Sequence, residues 1–501
     1  MTTTALLLAA PVAVPLLTAA AYALPSRRTV TGWAGMISPA AILAGAIGLA
    51  HRVPTHGPVR AFGHLLRADA LTVWMLLVIG AVAALAVAAG PTHLATERAT
   101  GKATEADARR YCLLVHAFLG AMALAVLAEN LGVLWVAVEA TTIVTAFLVG
   151  HRRTRAGVEA AWKYVVICSV GIALAFLGTV LIYYAARQAG LSEASALDWP
   201  TLTAHAHQLN PGVTRLGFAL IVLGFGAKAG LVPLHAWLPD AHSQAPAPVS
   251  ALMSGVLLSV AFTAILRYKV IADAALGTGF ARLLLAGTAL LTLALAAGLL
   301  LGQRDYKRML AYSSMEHMSL IALGAAVGSP LAIAAILLHI AGHGLAKTVA
   351  FCSAGQILHL RATTRIGRVR GLLAQAPALG AAFGLAVIAL LGLPPFSLFV
   401  SEIAIARAGF TTGLGWPVAA ALFLVLAAFA ALTLRTARIL LGPPPPNSPE
   451  GDTGTSAAPV RIGAAAGLPL LAGLVACAAL GTSTGPLTGL LHSAAAIIGG
   501  H

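Results

Sequence analysis

Charged residues are scarce in this chain. They make up 9% of its 501 residues, whereas soluble domains carry about 25%. Hydrophobic residues make up 59% of the chain, and its mean hydropathy is +0.90. This composition excludes an ordinary soluble domain. It predicts an all-α polytopic membrane protein, because a helix of about 20 apolar residues crosses the hydrocarbon core of a bilayer.

Cysteine is also rare, and the four thiols of Cys112, Cys168, Cys352 and Cys477 are far apart in the sequence. No CxxC pair is present, so iron–sulfur ligation and a structural zinc site are unsupported, and the thiols are interpreted as buried structural groups. The GxxxxGK[ST] and HExxH motifs are missing as well, which leaves ATP-driven transport and zinc hydrolysis without support. We therefore predict no cofactor and no metal site.

The formal net charge of +15 could indicate a nucleic-acid partner. However, the basic residues stand at the ends of apolar runs and do not form one stripe, so we interpret them as topology signals and predict membrane lipid instead. The loops that follow odd-numbered runs are the basic ones, and the positive-inside rule places them in the cytoplasm and both termini outside. They carry Arg27, Arg28, Arg98, Lys102, Arg109, Arg110, Arg152, Arg153, Arg155, Arg304, Lys307, Arg308, Arg361, Arg365, Arg368, Arg370, Arg435 and Arg438.

The apolar runs predict about 14 transmembrane helices. The N-terminal run resembles a signal peptide but lacks a basic start, so it is interpreted as the first span. Residues 441–459 are a Pro/Ser/Gly linker, and the final run, 484–501, is too short to span and is expected at the membrane interface. The predicted spans are 5–24, 31–50, 70–90, 111–128, 131–150, 158–186, 213–232, 248–267, 280–302, 309–327, 331–358, 372–409 (interrupted), 416–442 and 459–481.

Four ionisable residues lie inside these apolar runs: Glu139, Lys228, Lys347 and Glu402. An ionisable side chain at the bilayer centre costs roughly 2.5–3.5 kcal/mol on insertion scales. The alternative interpretation of Glu139 is a structural glutamate hydrogen-bonded between helices, and that of Lys228 is a lysine extended to the interface. Because the four belong to separate spans and include both signs, we favour a path for protons or other cations.

Two of these charges stand beside proline breaks. Pro233 interrupts the span that contains Lys228, and Pro394 and Pro395 interrupt the span that contains Glu402. Broken helices are tolerated in a membrane only where they are buried or line a cavity, and they mark ion sites in transporters. The breaks are about five spans apart, which indicates an internal repeat of two five-helix units.

Histidines accompany both lysines. His339, His343 and Lys347 are spaced i, i+4 and i+8, which places them on one helical face and predicts a proton relay. A metal site is the alternative for the histidine pair, but no third ligand stands at a suitable spacing. His235 and His242 lie in the broken stretch after Lys228, where His235 is a candidate for proton transfer or for a structural role and His242 is interpreted as structural.

Three further residues have open interpretations. Lys163 is four residues after Glu159 and could pair with it near the end of a helix. It could also tune a neighbouring charge, or serve only at the interface. Glu316 and His317 follow a basic anchor, and they are either a proton entry point or ordinary interfacial polar residues.

Four long stretches carry a family resemblance: KAGLVPLHAWLPDAHSQAPAPVSALMSGVLL, RDYKRMLAYSSMEHMSLIALG, LHIAGHGLAKTVAFCSAG and GLPPFSLFVSE. They resemble the antiporter-like membrane subunits of respiratory complex I, of cation/proton antiporters and of group 4 hydrogenases, in the family's order and over roughly residues 70–440. WVAVEATT, EAAWKYVVICSVG, SALMSGVLL and SSMEHM are most similar to component F of hydrogenase-4.

The resemblance implies two inverted five-helix repeats and broken helices 7 and 12. The units would be 1–110 (helices 1–3), 111–270 (first repeat), 280–442 (second repeat) and 443–501 (linker and last helix). Glu139 and Lys228 match the helix-5 glutamate and helix-7 lysine, Lys347 matches the helix-11 lysine with its histidines, and Glu402 matches the charged position of helix 12. Complex I members often have histidine where Ser254 stands, and a Ser-Gln pair where Glu316 and His317 stand.

The resemblance also implies a function, which is proton translocation within a redox complex of the hydrogenase-4 or NADH dehydrogenase type. Glu139 and Lys228 would form an ion pair that opens and closes. The chain itself would not be redox-active, and its partners would be other membrane subunits and, through them, iron–sulfur or nickel–iron hydrogenase-like subunits in the plasma (inner) membrane of a prokaryote. A cation/proton antiporter subunit of the Mrp type is the alternative, and a vestigial scaffold is disfavoured because all four central charges are retained.

Overall fold

The first half of the computed structural model is a series of long helices. The structure describes residues 2–24, 33–442 and 460–499. A short 3₁₀ segment, Trp33–Met36, precedes α2, and a two-stranded antiparallel hairpin of β1 (Val59–Ala61) and β2 (Leu66–Ala68) precedes α3. The helices are α1 (Thr3–Ala23), α2 (Ile37–His56), α3 (Ala70–Ala99), α4 (Glu105–Leu127), α5 (Leu131–Val149), α6 (Arg155–Gln188) and the short α7 (Trp199–Ala204), which is followed by a 3₁₀ turn, Ala206–Gln208.

The first predicted break lies between α8 and α9. Gly230 ends α8 in the left-handed region (φ +78°), which glycine adopts without a Cβ penalty, and regular helix resumes only at Trp237. A π-helical segment, Met253–Leu257, joins the next two helices into one continuous rod. The helices here are α8 (Pro211–Ala229), α9 (Trp237–Gln244), α10 (Ala247–Leu252) and α11 (Leu258–Leu276).

The second predicted break separates α16 from α17, at the two prolines 394 and 395. Two 3₁₀ turns, Ile366–Arg368 and Gly485–Leu487, connect neighbouring helices. The helices of this half are α12 (Thr278–Leu301), α13 (Tyr306–Val327), α14 (Pro330–Arg361), α15 (Leu372–Gln375), α16 (Pro377–Leu390), α17 (Ser397–Thr411), α18 (Gly415–Leu441), α19 (Ala464–Thr482) and α20 (Thr488–Gly499).

Within the described ranges, twelve helices are long and apolar enough to cross a membrane. The tenth predicted span, α13, is long enough, but its polar side chains lower its hydropathy. The twelfth is divided into α16 and α17, each of which is too short alone. The all-α polytopic class and both breaks are confirmed, whereas the exact number of fourteen spans and the division into two inverted units stay predictions.

The rod of α10 and α11 and the long helix α14 lie in the interior, almost wholly buried, while α1, α6 and α18 expose apolar side chains such as Leu17, Trp162 and Phe423. Small residues let α6 and α8 approach closely. A Cβ on Gly224 of α8 would lie 2.4 Å from the backbone nitrogen of Ala175 on α6. This close packing carries the end of α8 toward the interior face of α6.

Three smaller predictions concern the termini and the thiols. Cys168, Cys352 and Cys477 are buried as predicted, and Cys112 is partly buried. The final run forms α20, which packs against α3 and α14, and its depth in the membrane stays a prediction. Arg27, Arg28 and residues 443–459 of the linker lie outside the described residues.

Candidate functional site

Lys228 is fully buried at the end of α8, directly before the first break. Its ammonium donates hydrogen bonds to Thr142 Oγ1 (2.8 Å) and to the Tyr164 hydroxyl, and it lies 4.7 Å from the centre of the Tyr164 ring. Trp237, the first residue of α9, packs edge-on against Tyr164 with ring centroids 4.9 Å apart. Lys228 is therefore held by neutral groups from α5 and α6.

Glu139 does not pair with Lys228 in this structure, because no carboxylate oxygen of the described residues lies within 4.0 Å of the Lys228 ammonium. Glu139 is half-buried in α5 and lines a cavity of about 440 Å³ between α5 and α6, and its Oε2 atom is buried without a hydrogen-bond partner. Thr142 lines the same cavity and accepts the hydrogen bond from Lys228. The predicted pair is thus separated, with one hydroxyl between the cavity and the lysine.

Lys347 is fully buried in α14, as are His339 and His343. Its ammonium donates to the Leu310 carbonyl oxygen (2.7 Å) and to the Ser313 hydroxyl, both on α13. The next residue, Ser314, hydrogen-bonds through Oγ to Ser254 Oγ at 2.7 Å. Ser254 therefore connects the π-helical segment to α13, the helix whose Leu310 and Ser313 oxygens accept the hydrogen bonds from Lys347.

A histidine cluster lies one to two turns before Lys347, toward the N-terminus of α14. His317 Nδ1 of α13 is 3.1 Å from His339 Nε2, and the His317 and His343 rings are 5.0 Å apart. His339 Nδ1 is 2.9 Å from Ser401 Oγ on α17. Three helices therefore meet at these imidazoles, and the predicted alignment of His339 with His343 supplies only one side of the cluster.

Two carboxylates complete the cluster. Glu402 follows Ser401 and reaches back to the second break, where a Cβ on Gly392 (φ +62°) would lie 2.3 Å from Glu402 Oε2. One ligand atom each from His317, His339 and Glu402 lie within 4.8 Å of one another. Glu316 is buried in the same helix as His317, and its Oε2 has no hydrogen-bond partner.

The interfacial interpretation of Glu316 and His317 is wrong. Helix α13 begins at Tyr306 and ends at Val327, so both residues lie near its middle, and both are buried. Sequence reasoning also found no third metal ligand beside the histidines. Glu402 was already in view as a charge, but only the packing of α17 against α13 and α14 brings its carboxylate to the imidazoles.

Two side chains near α9 are buried although the sequence did not predict their burial. Lys307, interpreted as a loop residue, lies in the first turn of α13 and donates to the carbonyl oxygens of Ser243 (3.0 Å) and Ala245 (2.8 Å) at the end of α9. His242 is fully buried and stacks on Phe351 with ring centroids 5.0 Å apart, and neither ring nitrogen has a hydrogen-bond partner. The proline break signalled α9, but nothing local signalled the burial of Lys307.

Lys163 and His235 lie apart from these clusters. Lys163 is partly exposed and forms ion pairs with Glu159 Oε1 (2.7 Å), as predicted, and with Asp240 Oδ2 (3.1 Å) of α9. Arg308 joins Asp240 through Oδ1 at 2.9 Å. His235 is half-buried in the irregular segment after α8, and it makes no hydrogen bond with any other candidate residue described here.

The buried carboxylates of Asp69 and Glu97 are paired, and both stand near the ends of α3. Asp69 caps the N-terminus of α3 and accepts hydrogen bonds from Arg67 (2.6 Å) and from both terminal nitrogens of Arg267 (2.6 and 2.8 Å). Glu97, near the other end of α3, pairs with Arg152. These carboxylates therefore hold helices together, and they are chemically distinct from the unpaired groups around the breaks.

We call the ionisable groups Glu139, Lys228, Glu316, Lys347 and Glu402, with the histidines His317, His339 and His343, the row. The helical fold, the two helix breaks and this row define the class of the protein, which is a polytopic membrane protein of the antiporter-like type. The family described as the transmembrane part of NADH:quinone oxidoreductase and Mrp antiporter subunits matches residues 128–429. A relative described as a hydrogenase-4 component F homolog, from Methylacidiphilum infernorum, is 36% identical over 384 residues, which cover 76% of this chain and 80% of the relative.

Two solved structures share the fold over nearly the whole chain. The membrane-bound sulfane sulfur reductase, an archaeal respiratory membrane complex, has a subunit that superposes with a TM-score of 0.83 at 25% identity, covering 99% of this chain and 97% of that one. The Mrp complex from Dietzia sp. DQ12-45-1b gives a TM-score of 0.85 at 24% identity, covering 99% and 98%. The chain belongs to the NADH:quinone oxidoreductase/Mrp antiporter membrane-subunit family, and the resemblance drawn from its motifs is confirmed.

Proposed function

We propose that this chain is the proton-translocating membrane subunit of a redox-driven complex. One observation carries the proposal. Glu139, Lys228, Glu316, Lys347 and Glu402 come from five helices, and among the described residues none of them has an ion-pair partner within 4.0 Å. An unpaired charge is expensive in a low-dielectric interior, so groups that can gain or lose a proton are favoured there.

In the first half, Glu139 and Lys228 act as a gate. When they pair, the carboxylate stabilises the ammonium. When they separate, as in the present arrangement, Lys228 keeps only the neutral partners Thr142 and Tyr164. Loss of the counter-charge in an apolar environment favours the neutral amine, so opening the pair releases a proton toward the interior.

In the second half, the proton is received by Lys347 and passed to the histidine cluster. The Ser254–Ser314 contact and the Ser313 hydroxyl lie next to Lys347 and offer hydroxyl steps into it. His343, His317 and His339 connect Lys347 to Glu402, with Glu316 as a second carboxylate. Lys163 acts only through its charge, and His235 has no assigned step.

The driving redox chemistry belongs to partner subunits that carry iron–sulfur or nickel–iron hydrogenase-like centres. Two comparisons support this part of the proposal: one relative is described as a hydrogenase-4 component F homolog, and one structural neighbour belongs to an archaeal respiratory membrane complex. The basic loops support insertion in the inner membrane of a prokaryote with both termini outside.

The test replaces Lys228 with alanine in the intact complex and measures proton uptake into proteoliposomes with a pH-sensitive dye. Lys228→Ala is expected to lower coupled proton transport at least ~10-fold, because a general acid–base group is worth about 10²–10⁴ in rate, while the complex still assembles. Lys102→Ala, at an exposed lysine outside the row, serves as the control. Wild-type pumping by Lys228→Ala would remove the basis of the proposal.

A cation/proton antiporter subunit of the Mrp type is the alternative, because the family description itself includes Mrp antiporters. Sodium prefers oxygen ligands, whereas this row contains lysines and histidines, which favours protons. Mild-detergent purification followed by mass spectrometry separates the two functions. Co-purification of hydrogenase-like and iron–sulfur subunits supports the redox complex, whereas small antiporter subunits alone, with sodium-dependent pH changes in vesicles, support the exchanger.

A further inference from the structure

We infer that His317, His339 and Glu402 form a binding site for a divalent transition-metal ion of the zinc class, and that an ion bound there blocks the second half of the proton path. The binding part stands on the geometry of the cluster alone. The blocking part rests on the proposed function. Two imidazoles and one carboxylate are a donor set suited to Zn²⁺, which takes nitrogen and oxygen ligands at about 2.0–2.2 Å.

The spacing of the donor atoms fits one ion. One donor atom of each of the three residues lies within 4.8 Å of the other two. His317 Nδ1 and His339 Nε2 are 3.1 Å apart, while two nitrogens bound tetrahedrally to the same Zn²⁺ would be roughly 3.4 Å apart. A few tenths of an ångström of separation, a rotation of the two rings toward a common point and transfer of the His317 proton from Nδ1 to Nε2 therefore convert the imidazole contact into a pair of metal ligands.

Ser401 presents His339 in the orientation that a metal site requires. The Ser401 hydroxyl lies 2.9 Å from His339 Nδ1. When His339 donates its Nδ1 proton to this oxygen, the lone pair is on Nε2, which is the atom that faces His317. Partners of this kind orient metal-ligating histidines in metalloproteins and set their tautomer.

The charges around the cluster suit a divalent cation. Glu316 and Glu402 lie within electrostatic range of each other, and two carboxylates in a low-dielectric site repel unless a cation or a proton separates them. Glu316 Oε2 is buried without a hydrogen-bond partner among the described residues, so one carboxylate acceptor beside the three ligands is unsatisfied. Zn²⁺ would balance the charge of the two carboxylates.

Metal binding and proton transfer exclude each other here. A histidine passes a proton through the lone pair of its ring nitrogen, and a coordinated metal ion occupies that lone pair. An ion held by His317, His339 and Glu402 therefore removes two histidines and the terminal carboxylate from the row at once. Glu402 is the partly exposed member of the three.

The experiment uses the intact complex, purified through an affinity tag without histidine and stripped with a chelator. Zinc bound per complex is measured by mass spectrometry during titration with ZnCl₂, and zinc K-edge X-ray absorption reports the ligands. We expect one zinc ion whose binding depends on the cluster residues. Its neighbours should be nitrogen and oxygen at about 2.0–2.2 Å, with no sulfur at about 2.3 Å.

Variants assign the ion to the cluster. His339→Gln and Glu402→Gln should each weaken this zinc at least tenfold, and Ser401→Ala should weaken it about 10- to 100-fold through the orienting hydrogen bond. Glu402→Lys is a second variant, and it should abolish binding because it places a cation where the carboxylate ligand stood. The control is His359→Gln, which disrupts another imidazole pair of the same 3.1 Å spacing, with His93, and should leave the zinc in place.

The outcomes separate the site from the function. Zinc that is unaffected by His339→Gln and Glu402→Gln, or that is lost in His359→Gln, overturns the site. Zinc that follows the cluster variants, with half-inhibition of proton uptake shifting in parallel, supports both parts. Cluster-dependent zinc in a complex that moves no protons keeps the site and overturns the proposed function, whereas proton uptake without cluster-dependent zinc does the reverse.

Discussion

The buried carboxylates at the ends of α3 differ from the buried lysines of the two half-chains, Lys228 and Lys347, in the groups that surround them. At the ends, Asp69 is enclosed by Arg67 and Arg267, and Glu97 pairs with Arg152. Beside the breaks, Lys228 and Lys347 are completely buried and donate only to hydroxyl and carbonyl oxygens. Both regions belong to one contiguous interior, so burial alone does not separate them.

The difference indicates which charges stabilise the fold and which are available for transport. A buried ion pair with extra hydrogen bonds cannot lose one partner without leaving the other charge uncompensated. A buried lysine held by neutral oxygens leaves no orphan charge when it is neutralised, so its protonation can change during a cycle. The paired groups therefore stabilise the fold, and we call them the frame. The unpaired groups are the ones that can change their protonation state.

The largest expected effect comes from breaking the frame. Asp69→Ala leaves Arg67 and Arg267 buried without a counter-charge, and we expect a loss of about 3–5 kcal/mol in the free energy of unfolding. Thermal unfolding in detergent measures it. The matched control is Glu159→Ala, which removes one carboxylate from the exposed ion pair with Lys163 and should cost less than about 1 kcal/mol. Equal losses in the two variants would erase the contrast between buried and exposed pairs.

Lys347→Ala should produce the opposite pattern. It removes an unpaired charge, so the stability of the complex should fall by no more than about 1–2 kcal/mol, the scale of its hydrogen bonds. Proton uptake should fall at least ~10-fold, since the row loses an acid–base group. Thermal unfolding and the proteoliposome assay are run on the same preparation. A stability loss as large as that of Asp69→Ala would place Lys347 in the frame.

Tyr164→Phe tests the neutral cage around Lys228. It removes one hydrogen bond to the ammonium but keeps the ring that packs on Trp237. A hydrogen bond to a charged group is worth about 1.5–3 kcal/mol, so we expect the gate equilibrium to shift and the uptake rate to change about 10-fold. Tyr184→Phe, at a half-exposed tyrosine of the same helix, is the control. Indistinguishable uptake rates in the two variants would show that the hydrogen bond from Lys228 to Tyr164 does not control the gate formed by Glu139 and Lys228.

Lys163→Ala should have the smallest effect. Its ion pairs with Glu159 and Asp240 are partly exposed, so less than about 1 kcal/mol of stability should be lost. Proton uptake should change less than about threefold if Lys163 acts only through its charge. A loss of transport as large as that of Lys347→Ala would show that Lys163 takes part directly in proton transfer.

Much of this arrangement could be predicted from the sequence, because its signals are local. Hydropathy located the spans, the prolines located both breaks, and helical spacing placed His339, His343 and Lys347 on one buried face. The interfacial interpretation of Glu316 and His317 failed because the start of α13 was placed three residues too late and because the helix is polar for a span.

The sequence by itself determined that ionisable groups would be buried in apolar helices beside two proline breaks, since composition, periodicity and backbone chemistry act over a few residues. Only the tertiary structure decided their partners. Lys228 contacts Thr142 and Tyr164 and not Glu139, and His317, His339 and Glu402 converge from three helices. Which faces meet depends on how closely helices distant in sequence approach one another, and small residues such as Gly224 set that approach through packing.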